Sequence, residues 1–152
     1  MILPTALILA GLIIAALAAM SSYSQKGGPP GLLGGRLQPC PDKPNCVCSE
    51  TGQVPPIPFS GSPEEAMRRA KEAIVAEGGS IVTETGGYLA AIFKSNIFRF
   101  VDDFEIRISA TGQVLHVRAG ARAGHSDFGV NRKRVEAFRW RFEELSCRGK
   151  AE

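Results

Sequence analysis

What this chain lacks narrows its function more than what it carries. No charged side chain precedes Lys26, and only two histidines and one tryptophan occur in 152 residues. There is no HExxH, no Walker motif and no Gly-rich dinucleotide fingerprint, so zinc-peptidase, phosphate-loop and dinucleotide chemistry have no carrier. No basic run is interleaved with aromatics, and a net charge of +3 with both signs mixed is too mild for a nucleic-acid surface. The four cysteines include no C-x-x-C pair, so the zinc-knuckle spacing is missing too. No cofactor, metal site or nucleic-acid partner is expected.

What is there begins with an apolar run from Ile2 to Met20, about 28 Å long as a helix and matched to a bilayer's hydrocarbon thickness. Ala16-Leu17-Ala18 resembles the small-x-small site of a cleaved leader. Against cleavage, the run is longer than a usual leader core and no Lys or Arg precedes it; against a lipoprotein, no Cys follows it closely. The expectation is a retained single-pass signal-anchor over residues 1–22 in the cell inner membrane. Lys26 and Arg36 argue for a cytoplasmic domain by the positive-inside rule. The clustered Cys40, Cys46 and Cys48 argue for an oxidising compartment, and an extracytoplasmic domain is expected. Residues 23–61, with Gly27-Gly28-Pro29-Pro30-Gly31, Gly34-Gly35 and Val54-Pro55-Pro56-Ile57-Pro58, read as an extended tether holding the cysteine patch.

Residues 62–147 read as the folded domain. Ser62-Pro63-Glu64-Glu65 opens a helix with an N-cap, a proline at the first position and a capping box, and Gly78-Gly79 closes it. Short strands follow over 80–84 and 88–95. From Phe98, apolar Phe98, Phe100, Phe104, Ile106 and Ile108 alternate with Arg99, Asp103, Glu105 and Arg107, and Leu115, Val117, Ala119 and Ala121 resume the pattern past Ala110-Thr111-Gly112-Gln113. A loop at Thr111-Gly112 sets Ile108 opposite Leu115, Ile106 opposite Val117, Phe104 opposite Ala119 and Glu105 opposite Arg118. A last helix over 130–145 carries Val135, Phe138, Phe142 and Leu145 on one stripe, with Trp140 roughly opposite. The fold class is α+β: an N-terminal transmembrane helix, then a two-layer domain with an antiparallel four-stranded sheet and two helices, in α-β-β-β-β-α order. That plan leaves the face bearing Asp103, Glu105, Arg107, His116, Arg118 and Arg122 open.

Asp102 stands out, because strict alternation puts it on the greasy face, where a carboxylate needs a partner from the Arg122 to Arg134 region. A shifted acid or base is one reading; a bulge that turns it outward, or a structural ion pair, is the stronger one. Arg132, Lys133 and Arg134 crowd a helix start, where they either hold a phosphate or carboxylate or are neutralised by Asp127 and the Asp102-Asp103 pair. His125-Ser126-Asp127 holds triad residue types without assured triad geometry, and His116 and His125 read as surface histidines. Among the cysteines, Cys40–Cys46 is a candidate disulfide that leaves Cys48 to meet Cys147, one of three connectivities. Trp140 is open to a partner, a bilayer interface or a covering tether.

From Cys40-Pro-Asp-Lys-Pro-Asn-Cys46-Val onward the chain resembles domain of unknown function (DUF) family 1499, a bacterial and plastid family. The matching segments include Gly87-Tyr88-Leu89, the run Phe98-Arg-Phe-Val-Asp-Asp-Phe-Glu105, Val117-Arg118, Arg122 and Ser126-Asp127-x-Gly129-x-Asn131-Arg132-x-Arg134. The resemblance implies no established activity. Ala119 and Ala121 stand where that family tends to carry serines, His125 where it commonly carries an aromatic, and Cys48 where it usually carries Ser. Nucleophilic or histidine chemistry gains little from it, and the Cys48 departure fits an extra link to Cys147.

The resulting expectation is a non-catalytic accessory or binding domain that presents a charged sheet face to a partner protein, such as a membrane protein complex, or to a small anion. Asp102, Asp103, Glu105, Arg118, Arg122, Asp127, Asn131 and Arg132 are its expected contact residues. The alternatives are a hydrolase acting on an anionic substrate and a metal-binding module built on Cys40, Cys46 and Cys48.

Overall fold

The structure, a computed structural model, describes residues 2–148; Met1 of the expected anchor lies outside them. In chain order the elements are α1 (Ile2–Ser24), β1 (Leu32–Leu33), β2 (Arg36–Leu37), β3 (Cys46–Cys48), β4 (Ile57–Pro58), α2 (Pro63–Ala76), β5 (Ser80–Thr85), β6 (Tyr88–Lys94), β7 (Val101–Ser109), β8 (Val114–Ala121) and α3 (Val130–Arg148). α1 is long and apolar enough to cross a membrane, and its Leu7, Ile8, Leu9, Leu12 and Ile13 side chains are exposed.

The chain is α+β with an antiparallel sheet, but the sheet has six strands rather than four. Its order is β3-β8-β7-β6-β5, with β4 also paired to β8. The two extra strands come from the tether. Without them β8 would be a bare sheet edge, and Cys46–Cys48 and Ile57–Pro58 occupy its backbone groups instead. Both are too short to show an alternating pattern, and Pro58 fits a strand at the rim of a sheet.

The expected hairpin register holds: Ile108 faces Leu115, Ile106 faces Val117, Phe104 faces Ala119, Glu105 faces Arg118 and Arg107 faces His116. β7, however, starts at Val101 and not at Phe98. Arg99 has φ 60, which breaks an extended strand and leaves 95–100 as a loop. Pairing along β7 is continuous on both sides, so no bulge rotates Asp102 outward.

α2 begins as its sequence requires, with the Ser62 hydroxyl accepting the Glu65 N–H at 3.2 Å. It ends in a Schellman turn: Gly78, at φ 85, and Gly79 donate to the carbonyls of Val75 and Ile74. On the helix side of the sheet, Leu89, Ala91, Phe93, Phe104, Ile106, Leu115, Val117 and Ala119 meet Ala66, Met67, Ala70 and Ile74 of α2 and Val135, Phe138 and Phe142 of α3. Phe138 stacks on Phe142 at 6.0 Å and tilts against Phe104 at 5.1 Å.

Candidate functional site

The charged strand face is not open. Asp103, Glu105 and Arg118 are buried, Glu105 completely, because the tether around Gly31 and Arg36–Leu37 lies across them. This corrects the expected two-layer plan: the tether forms a third layer. Its closure is chemical as well as steric. The Glu105 carboxylate accepts the Gly31 N–H (2.8 Å) and the Tyr88 hydroxyl (2.7 Å) at Oε1, and the Arg118 guanidinium (3.0 Å) at Oε2. Burial, followed by the bond to Glu105, pushes the Tyr88 phenol well above its usual pKa.

Two further pairs flank this one. Arg122 grips Asp103 with Nε 2.9 Å from both carboxylate oxygens and Nη2 2.6 Å from Oδ1. Its Nη1 turns the other way, donating to the carbonyls of Ser24 (3.4 Å) and Gly27 (3.1 Å) at the end of α1. On the other flank Glu50, which the sequence did not single out, accepts the Arg107 Nε–H (2.7 Å) and the Leu37 N–H (3.1 Å) and pairs with Arg36. Burial works to raise the Glu50 pKa, but the hydrogen bonds from Arg107, Arg36 and Leu37 outweigh it and hold it at about 2.

His116 sits beside this face, its Nδ1 3.3 Å from the Ser49 hydroxyl. That hydroxyl accepts the Val117 N–H at 2.9 Å, which leaves its own hydrogen for the imidazole. Burial shifts His116 downward.

The remaining expected residues gather elsewhere, around the start of α3. Asp102 binds Arg134 at 2.9 Å, and the Arg134 guanidinium also bonds Asn131 Oδ1 at 2.6 Å and lies over the Phe93 ring at 4.4 Å. Asp102 is therefore an inward carboxylate in an ion pair, and burial raises its pKa despite Arg134. Asp127 accepts the N–H groups of Gly129 (3.0 Å) and Asn131 (2.8 Å), which closes the first turn of α3. Ser126 takes the Phe128 N–H at 3.2 Å, so the Ser-Asp part of the triad-like run bonds backbone and not His125. The eight expected residues thus form two clusters, on opposite sides of the sheet.

Arg132 is exposed and donates to the Gln53 carbonyl at 3.1 Å. With Lys43, Gln53, Asp127 and Asn131 it lines a polar cleft of about 330 Å³ between the disulfide loop and α3. Among the described residues, neither Lys43 nor Arg132 is paired with a carboxylate. A second space of about 330 Å³ lies between the last turns of α1 and the loops around Phe100 and Phe128, with Asp102 and Asp127 in its wall.

Cys40 and Cys46 form a disulfide, while Cys48 is free and buried and Cys147 is free and exposed. The expected Cys48–Cys147 link is absent because the sheet separates them. Cys48 pairs in register with Arg118 on the tether side, whereas α3 packs on the other. With Cys40 and Cys46 oxidised, two of the three sulfurs named for a metal module are not thiolates. Among the described residues no cluster of three or more His, Cys, Asp or Glu could hold a metal ion. Trp140 is exposed, with Arg141 over its ring at 5.0 Å, so the tether does not cover it.

The family model described as Protein of unknown function (DUF1499) matches residues 36–142, more than half of the chain, and the chain belongs to that family. The match begins at Arg36, inside the tether that closes the charged face. No curated protein matches the chain.

Proposed function

We propose that this member of the DUF1499 family is a single-pass, membrane-anchored accessory domain without catalysis of its own, which binds an acidic segment of a partner protein or a small anion. The observation that carries this reading is a contrast in charge use. The cations of the sheet face are consumed internally by Asp103, Glu105 and Glu50, while Lys43 and Arg132 face an open polar cleft with no carboxylate paired to either among the described residues. The partner contact therefore falls on that cleft rather than on the sheet face. α1 supplies the anchor, and the Cys40–Cys46 disulfide favours an extracytoplasmic domain at the inner membrane.

Native mass spectrometry of the full-length chain, extracted from membranes in mild detergent, tests this. The expected result is a reproducible complex with other membrane proteins, or a bound anionic mass, lost in the variant Lys43→Glu/Arg132→Glu. A lone chain without bound mass, or a complex indifferent to the charge reversal, overturns the binding reading. A chain lighter by the apolar run overturns the anchor.

One observation favours the hydrolase reading: Asp102, with its raised pKa, lines the groove beside α1. An Asp102→Asn variant that stays folded and keeps its partner, yet loses a turnover the wild type shows, would establish that alternative.

A further inference from the structure

α1 does not hang from the domain on a loose strand; its last turns are bolted to it. Ser21 and Ser24 are buried. The Ser21 hydroxyl donates to the Phe98 carbonyl, the Ser24 hydroxyl accepts the Val101 N–H at 3.1 Å, and Arg122 covers the terminal carbonyls. A carbon added at Gly124 would lie 3.9 Å from the Met20 terminal methyl, so the 123–130 loop also rests on the helix. The apolar run ends at Met20, one residue before the first of these bonds. The 95–100 and 123–130 loops therefore lie level with the end of the apolar run.

Those loops carry the domain's most exposed large apolar side chains. Phe128 is 92% exposed and Ile97 84%, with Val130 partly exposed beside them. Ile97 directly precedes the Phe98 carbonyl that accepts from α1. Phe128 is held outward against its own preference. It has φ 55, a conformation that an aromatic residue rarely adopts, and the Asp127 and Ser126 bonds on either side fix it there. Among the described residues, none covers the ring. Around this edge lie exposed Tyr23, Lys26, Lys94 and Arg99, the residue types that settle among lipid headgroups. The 330 Å³ groove between Leu17, Met20, Phe100, Phe128 and Val130 opens at the same level.

We infer that the edge carrying Ile97 and Phe128 is a bilayer-contact surface, seated in the headgroup layer of the membrane that α1 spans. This rests on the anchored reading above and adds to it that the domain stands on the membrane in one fixed pose. The bonds at Ser21, Ser24 and Arg122 set the tilt, and the two apolar side chains set the depth. The polar cleft at Lys43 and Arg132 is then presented at a defined height.

Depth-dependent fluorescence quenching tests this on the full-length chain in phosphatidylcholine–phosphatidylglycerol vesicles whose acyl chains are brominated. In a Trp140→Phe background, single tryptophans are placed by Leu12→Trp, Ile97→Trp, Phe128→Trp and Thr111→Trp, all at exposed positions. Thr111 lies past the far end of β7, roughly 30 Å along the chain from Val101. The expected result is strong quenching at Leu12→Trp, loss of roughly half the emission at Ile97→Trp and Phe128→Trp, as for interfacial side chains, and none at Thr111→Trp. Quenching at Leu12→Trp but not at Ile97→Trp or Phe128→Trp overturns the seated edge and leaves the anchor standing. No quenching at Leu12→Trp shows that the anchored reading itself has failed. Equal quenching at Thr111→Trp and Phe128→Trp means that the domain lies flat, which also overturns the seated edge.

Discussion

The two faces of this sheet are buried by opposite means. The helix side is closed by apolar side chains, with Phe104, Phe138 and Phe142 nearly or wholly out of solvent. The tether side is closed over Glu105, Arg118 and Asp103, which are also buried, Glu105 completely. There each charge is met by a counter-charge, a hydroxyl or a backbone N–H. Burying a carboxylate unpaired is costly, and a covering strand that brings its own donors removes much of that cost. The difference teaches that alternation of apolar and charged residues marks two chemically distinct faces, not one face inside and one outside.

The largest expected effect tests whether the charged face is truly interior. Glu105→Ala leaves the Arg118 guanidinium, the Tyr88 hydroxyl and the Gly31 N–H without an acceptor, and is expected to destabilise by about 3–5 kcal/mol. Phe138→Ala, the yardstick on the helix side, is expected to lose a similar about 3–5 kcal/mol. Urea unfolding of the full chain in detergent, followed by circular dichroism, measures both. Adding Arg118→Met to Glu105→Met should recover part of the single-variant loss, because the pair removed together leaves no stranded buried charge. A Glu105→Ala loss of under about 1 kcal/mol would mean the face is solvated, and the comparison would collapse.

Much of the helix side was legible because its signals are local and periodic. The Ser62 cap, the Gly78-Gly79 stop, the Val135-Phe138-Phe142 stripe and the whole β7–β8 register follow from spacing alone. The tether side was not, because its structure depends on partners far apart in sequence. Gly31 meets Glu105, Ser49 meets His116, and Glu50 meets Arg107, and none of these pairings leaves a pattern along the chain. One signal was available: Tyr88 and Ala90 were too apolar for a solvated face, and both are buried under the tether. Of the candidate site, the Asp102 partner was foreseeable as an arginine from the 122–134 region. The role of Arg122 as a bridge from Asp103 to the end of α1 was not, since it needs the docked helix.

The faces should also titrate with opposite signs. On the tether side, Glu50 falls from 4.5 to about 2, so its contribution, about 1–3 kcal/mol, is complete above pH about 4.5 and is lost as pH falls towards 2. On the helix side, the Asp102 pKa is raised, so what it contributes is present at low pH and is lost as pH rises through its folded value. Unfolding free energy measured against pH checks both. Glu50→Gln should flatten the acid limb, whereas Asp102→Asn should remove a slope of the other sign. If Glu50→Gln leaves the acid limb unchanged, the Arg107 and Arg36 bonds add nothing, and the tether side is less tightly closed than its geometry implies.

The smallest effect separates the two kinds of closure with one chemical change. Gly79→Ala, at the junction of α2 and the sheet, would place a carbon 2.6 Å from Ile74 Cγ2 and 2.8 Å from Phe93 Cζ. The expected loss is about 1–3 kcal/mol from overpacking, and a second substitution that removes a clashing atom, Phe93→Leu, which lacks Cζ, should return part of it. Gly31→Ala has open space around the new carbon but a backbone φ of 78, so its expected loss is about 1 kcal/mol of strain, which no space-making substitution relieves. The Gly31 N–H bond to Glu105 should survive the change, because the amide need not move. Rescue of Gly31→Ala by a smaller neighbour would mean that the tether is packed by shape, as the helix side is. Persistence of the loss would mean that the tether is fixed by backbone conformation and hydrogen bonds, which is what a polar segment lying on buried charge requires.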